Sequence, residues 1–359
     1  MRTEIISDAN QWNAFVEANP TGNVTQTFEW GELSDSLGGD VVRVGARDDN
    51  GELCGAMLLL VARAPVLRRP YLYAPRGPVV ADSTSPALAA LCARAEQEAR
   101  RRGAFMVKVE PNVPDGDTAW LDALARLGFH RNPFATHPRR SWVLDIRASE
   151  DELLAGMKEK WRYNIRLAGR KGVQVREASS PEDVDAFYTL YQETAKRDGF
   201  FIHPKKHYDD ILRLYGARDS ATLLLAEYEQ EPIAALIAVR CGATTTYMFG
   251  ASSNRERNRM PNHLLQWTAI RWAKARGCSI YDFRAIAETL DPQEDLYSLY
   301  TYKQGFGGYS TLSLETHDRP LNGAVYWAYR RSLSLKRARD RRRHERELRE
   351  RHAGQASKE

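Results

Sequence analysis

Cysteine is scarce in this 359-residue sequence, and none of it is paired by spacing. Cys54, Cys92, Cys241 and Cys278 are far apart, and no two form a CxxC. That excludes zinc-ribbon and dithiol chemistry and leaves buried free thiols in a reducing compartment as the expected state. Long apolar runs are missing too. The longest, around Ala56 to Ala62, falls far short of the roughly 20 residues that span a bilayer. The opening MRTEIISDANQWNAF has no signal-peptide core, so a cytoplasmic protein is expected. No Ser/His/Asp or Cys/His constellation stands out, so covalent catalysis is not indicated. No metal site is expected. Charge imbalance is confined to one end. The stretch Lys336 to Arg351 holds nine Lys/Arg against four Asp/Glu, which accounts for the net +5 of the whole chain. Such a tail, at 335–359, gives weak attraction to RNA or to the anionic inner face of a membrane rather than a specific site.

What the chain does have is a basic, aromatic stretch from Glu159 to Val175, EKWRYNIRLAGRKGVQV. Lys158, Lys160, Arg162, Arg166, Arg170 and Lys171 fall within one helix length, and Trp161, Ile165, Leu167 and Ala168 give it a side to bury. Arg162 and Arg166 are four apart and share a face. A helix that buries an aromatic ring and keeps cations in water can accept phosphates. The spacing predicts one helix from Ser149 to Gly172, opened by a Ser149/Glu152 capping box.

The remaining pattern repeats. Val41 to Arg47 and Glu52 to Arg63 form a hairpin around Asp48–Gly51. Pro70 to Val80 is a strand running into a loop, Ser85 to Arg102 a helix closed by Gly103, and Ala104 to Glu110 a strand. Ala221 to Glu229 and Pro232 to Arg240, Thr244 to Gly250, Asn262 to Arg276 and Ser279 to Phe283 follow in the same order. Gly55 falls on Ala234, Tyr71-Leu72-Tyr73 on Tyr247-Met248-Phe249, and Leu91, Ala95, Ala99, Arg102 and Gly103 on Leu265, Ala269, Ala273, Arg276 and Gly277. Three matches in one order argue for a duplicated unit. Helices, a hairpin, then strand, helix and strand suggest an α/β (α+β) chain of two tandem GNAT-like acyltransferase domains. Their expected extents are 1–147, completed by 316–334, and 148–315.

An acyltransferase of that fold ordinarily cradles the coenzyme A pyrophosphate in an Arg/Gln-x-x-Gly-x-Gly/Ala loop of bare N–H groups. The corresponding segments here are SSNRERNRMPN and APRGPVVADSTSP, and neither has the pattern. The acyl donor is therefore expected to be something larger or differently held.

QTFEWGEL, YAPRGPVV, VKVEP, KWRYNIRLAGRKGV, TAKRDGF, YMFGASS, IYDF and YKQGFGG lie in an order that resembles the FemABX family, across about Gln26 to Tyr309. The resemblance implies two GNAT-like domains, the first completed by the C-terminal end, in a short form without a helical arm. It implies transfer of an amino acid from aminoacyl-tRNA to the side-chain amine of a peptidoglycan precursor, either UDP-MurNAc-pentapeptide or lipid II. Aminoacyl-tRNA is then a co-substrate and no cofactor is needed. Tyr302-Lys303 matches the family's pair at the tRNA end. Lys303 would offset oxyanion charge and Tyr302 would stack on the terminal adenine. The alternative to this role for Lys303 is a surface lysine before a glycine-rich turn. Phe249 stands where a tyrosine is usual, and strand alternation points Tyr247 to the same face. Ser34 replaces an expected lysine, and His203 and His207 stand where the family has Arg and Tyr. Arg76, Arg162 and Arg166 are candidates for the missing positive charge, and Glu110 for orienting the acceptor amine. Two other readings remain open. One is a tandem-GNAT transferase of envelope or exopolysaccharide assembly with another donor. The other is a non-enzymatic, basic RNA- or membrane-surface protein.

Overall fold

The computed structural model describes residues 1–335 and 339, apart from 66, 135 and 295. The basic tail beyond Leu335 lies, but for Arg339, outside the described residues. In chain order the strands are β1 (Arg2–Ile5), β2 (Val41–Arg47), β3 (Leu53–Arg63), β4 (Pro70–Ala74), β5 (Val79–Val80), β6 (Met106–Val109), β7 (His130–Asn132), β8 (Arg140–Asp145), β9 (Gln174–Glu177), β10 (Ala221–Tyr228), β11 (Glu231–Cys241), β12 (Thr244–Ser252), β13 (Ile280–Ala285), β14 (Tyr309–Leu312) and β15 (Thr316–Pro320). The helices that matter for the site are α1 (Ala9–Ala18), α2 (Phe28–Ser36), α3 (Pro86–Arg101), α4 (Thr118–Arg126), α5 (Glu150–Gly156), α6 (Glu159–Arg170), α7 (Pro181–Asp198), α8 (Lys205–Gly216), α9 (Pro261–Ala275) and α10 (Tyr297–Gln304). A further helix covers residues 323–335.

Two sheets carry the duplication. One runs β1-β2-β3-β4-β6-β15-β7 and the other β9-β10-β11-β12-β13-β8-β14. Every neighbouring pair is antiparallel except one in each sheet: β4 with β6, and β12 with β13. Each parallel pair is bonded over three positions, from Leu72↔Val107 to Ala74↔Val109 and from Thr244↔Ile280 to Thr246↔Asp282. β12 then runs on to Ser252 without that partner, so the strands open as a V.

The pairing corrects one sequence match. Tyr73 faces Lys108 across β4/β6, and the equivalent place across β12/β13 is held by Thr245 facing Tyr281. The YLY and YMF triplets are thus out of structural register by three or four residues, although the helix match is in register. The fold also exchanges strands. β8, which the expected division at 147/148 leaves with the first half, pairs in the second sheet. β15 pairs in the first sheet, in the place that β8 holds in the second. The two crossovers run side by side, with the Ser313 N–H donating to Arg139 O at 2.9 Å.

The halves share a core. Trp12, Val16, Leu33, Leu58 and Val79 of the first pack in one cluster with Phe187, Tyr208, Ile211, Tyr215 and Leu225 of the second. The Trp12, Phe187 and Tyr208 rings are fully buried, each worth about 1.5–3 kcal/mol of apolar burial. The seam therefore behaves as a core rather than a hinge.

The expected helix 149–172 is broken. α5 ends where Met157 turns extended (ψ 155), and α6 starts after Lys158. Met157 is buried, the Lys158 N–H donates to Gly305 O at 2.9 Å, and Arg162 Nη1 donates to the Ala155 and Met157 carbonyls. The capping box at Ser149 and Glu152 is present. The sequence pattern marks no counterpart of α8, α10, β1, β7, β8, β9, β14 or β15. Among the described residues no helix is long and apolar enough to cross a membrane.

Candidate active site

A cleft lies on the seam between the halves. The Asn23–Thr25 turn and Arg76 line it from the first half, and Ser141, Thr246, Asp282, Arg284 and Ala285 from the second. His137 and Pro138 enter from the crossover. Arg76 and Arg284 both have left-handed backbone, φ 51 and φ 61. Such strain at non-glycine residues gathers where geometry serves a site. The Arg76 Nη2 donates to Pro138 O at 2.6 Å. The Arg284 N–H donates to Asp282 Oδ1 at 2.6 Å, and its Nη1 touches the Met248 sulfur at 3.4 Å. Burial raises the Asp282 carboxyl and lowers the Arg284 guanidinium, and each charge partly relieves the other.

Lys303 meets this cleft at Ala285, whose carbonyl accepts from Nζ at 2.7 Å. It is 5% exposed, so it is no surface lysine. Burial brings its ammonium down to about 8, against an upward pull from Asp282, and Arg284 adds to the lowering. A buried cation with one of three N–H groups spent can direct the others at a developing anion. Tyr302 packs against the core of the second half. Its hydroxyl donates to Asn262 O at 2.9 Å, and its ring meets His263 and Phe306 edge-on at 5.3 and 5.4 Å. Trp161 joins them, donating from Nε1 to Tyr302 O at 3.0 Å. A Cβ at Gly305 would fall 2.0 Å from the Trp161 ring, which is why glycine follows Gln304.

Glu110, at the end of β6, is buried at 3% exposure. It accepts from Tyr73 OH, the Thr136 N–H (3.0 Å) and the Thr316 hydroxyl (2.8 Å), and stands 3.0 Å from His137 Nδ1. Burial would raise its carboxyl. The hydrogen bonds from His137, Tyr73 and the Thr136 amide, with the charge His137 brings when protonated, outweigh that and hold it at about 2.

The other expected residues fall elsewhere. Arg162 is committed to the carbonyls at the α5/α6 break. Arg166 is exposed. With Lys160, Arg170, Arg255 and Arg257 it forms an open basic surface along α6 and the loop before α9. Tyr247 and Phe249 do not share a face. A bulge sets Phe249 opposite Ile237 and Tyr247 opposite Ala238, so Met248 is the extra residue. Tyr247 then packs into the core of the second half, with its hydroxyl where a side chain at Gly250 would begin. Phe249 packs at the seam against Tyr208 and His207, with ring centroids 5.1 and 5.9 Å apart. His203 stacks on His207 at 4.1 Å. Burial, with the His203 charge, lowers His207 to about 4. It is neutral at pH 7, so this pair cannot grip a diphosphate as two cations. His137, Asp282 and Arg284 were missed. IYDF contains Asp282, but nothing in ATHPRR marks His137.

Two sheets, each with one parallel pair of strands and the second opening there as a V, meet at a charged seam in the tandem arrangement of the GNAT acyltransferase fold. The FemAB family model matches residues 8–231 and 219–332. The chain belongs to the FemAB family and is an aminoacyltransferase. A lipid II:glycine glycyltransferase of Staphylococcus saprophyticus is 25% identical over 383 residues, covering 88% of this chain and 92% of its own. One of Staphylococcus aureus strain MRSA252 is 26% identical over 388 residues, with the same coverage. Among solved structures, the crystal structure of FemX overlays with a TM-score of 0.85 at 24% identity, covering 92% of this chain and all of its own. A tandem GNAT protein from the clavulanic acid pathway overlays at 0.54 with 14% identity, covering 89% and 98%.

Proposed function

We propose that the protein moves an amino acid from aminoacyl-tRNA to the side-chain amine of a peptidoglycan stem peptide, building cell-wall cross-bridges. The observation that carries this reading is the buried Lys303 ammonium beside a cleft that both halves line. The aminoacyl ester is already activated, so positioning and oxyanion stabilisation supply the rate and no cofactor takes part. The names of the glycyltransferase relatives favour lipid II over soluble UDP-MurNAc-pentapeptide as acceptor. Purified protein offered charged tRNA, acetyl-CoA, or amino acid with ATP tests the donor. Transfer from acetyl-CoA alone would overturn it.

The exposed cations of α6 and the 253–260 loop suit the tRNA backbone. Arg166→Glu with Arg170→Glu should weaken tRNA binding and flatten its dependence on log salt by about 1.4–1.8, leaving acceptor binding unchanged. Binding titrations at several salt concentrations read this out. A lipid-linked acceptor also calls for the membrane surface. Trp327 is 65% exposed, Arg331 lies over its ring, and the basic tail follows. Trp327→Ala is expected to reduce co-sedimentation with anionic vesicles and to leave transfer to a soluble acceptor intact.

A further inference from the structure

The crossover between β7 and β8 brings a histidine into the cleft. His137 lines it beside Arg76, Asp282 and Arg284, with its side chain 23% exposed. Its Nδ1 is 3.0 Å from Glu110 Oε2 and 2.5 Å from the Tyr73 hydroxyl. That hydroxyl donates to the same carboxylate oxygen. A hydroxyl that gives its hydrogen to Glu110 can only accept from Nδ1, so Nδ1 carries the ring hydrogen. In the neutral imidazole Nε2 then holds the free lone pair. Tyr73 also stacks on the ring, with centroids 5.9 Å apart. Glu110 is pinned in turn by the Thr136 amide and Thr316 hydroxyl, so the ring has one fixed orientation.

We propose that His137 is the catalytic base that takes the proton of the attacking amine, with Glu110 and Tyr73 as its positioning residues. This rests on the aminoacyl-transfer reading above. The amine nitrogen attacks the ester carbonyl carbon, and a C–N bond forms as an N–H proton passes to Nε2. The ester C–O bond then breaks, and the proton moves from the imidazolium to the departing ribose oxygen. Amine and ester become amide and hydroxyl, and His137 returns neutral. While the ring is charged, the Glu110 carboxylate offsets it. The charged and titratable groups around the ring are Tyr73 and Arg76 on β4 and the loop after it, Glu110 at the end of β6, and Asp282 and Arg284 on β13. Lys303 meets the same cleft through Ala285.

The test uses the full chain with charged tRNA and lipid II. His137→Gln should lower kcat by about 10²–10⁴-fold with KM little changed. Free imidazole should restore part of the rate to His137→Gly, more as pH rises and the neutral form grows. Glu110→Gln should lose less and not respond to imidazole. Thermal melting confirms that each variant is folded. A wild-type rate in His137→Gln overturns the base, and so does a His137→Gly loss that imidazole leaves untouched. Wild-type protein inert toward charged tRNA would instead overturn the aminoacyl-transfer reading, and the base with it.

Discussion

Lys303→Ala is expected to cut kcat by about 10²–10³-fold with little change in KM, the signature of a donor used only in the transition state. The Nζ is held by the Ala285 carbonyl, and Asp282 and Arg284 set its field. Removing it takes away a preorganised charge, not a substrate contact. The pH profile of the wild type gives an independent check. Only the ammonium carries the charge that offsets an oxyanion, and burial holds its pKa at about 8, below the ordinary 10.5. The charged form therefore prevails below about pH 8 and is lost above it. The rate should fall as pH rises through that value, and a flat profile there would remove Lys303 from the rate-determining step. Rates at saturating substrate across that range settle the point.

The second large effect lies away from the cleft. Lys108→Met is expected to destabilise the protein by about 3–5 kcal/mol, because it leaves Asp318 buried, charged and without its cation. Lys108 is 1% and Asp318 0% exposed, and Nζ is 3.1 Å from Oδ1. The approach to Oδ1 lies off the hydrogen-bonding direction, so that contact is ionic. Oδ2 accepts from Asn132 Nδ2 at 2.5 Å and from the Tyr326 hydroxyl at 3.1 Å. One aspartate on β15 thus ties β6, β7 and the helix over 323–335 together. The double variant Lys108→Met, Asp318→Leu should recover much of the loss, since an apolar pair of similar volume removes the stranded charge. Denaturant midpoints for the single and double variants measure both.

Much of the fold was legible because apolar patterns and turn residues are local signals. The hairpin of β2 and β3, the α3 helix closed at Gly103 and the Ser149 capping box all stand in the structure. What misled was non-local. Tyr247 and Phe249 look equivalent by alternation, but a single bulge at Met248 turns them to opposite sides of the sheet. The helix 149–172 has good formers throughout, yet Met157 is drawn into the core and Arg162 caps the break. Arg76 in the cleft, and Glu110 and Lys303 behind its lining, stand in motifs that the sequence displays. His137 does not, because its role comes from a crossover that brings residues 73, 110 and 137 together.

The exchanged strands bear on how such a chain can exist at all. A half-length polypeptide with this topology would lack the sixth strand of its own sheet, since that strand leaves for the neighbour. Two identical copies could each complete the other, as a symmetric dimer with two equal clefts. Joining them end to end frees each copy from symmetry. β13 can then carry Asp282 and Arg284 to the cleft while its counterpart β6 spends Lys108 on the buried Asp318.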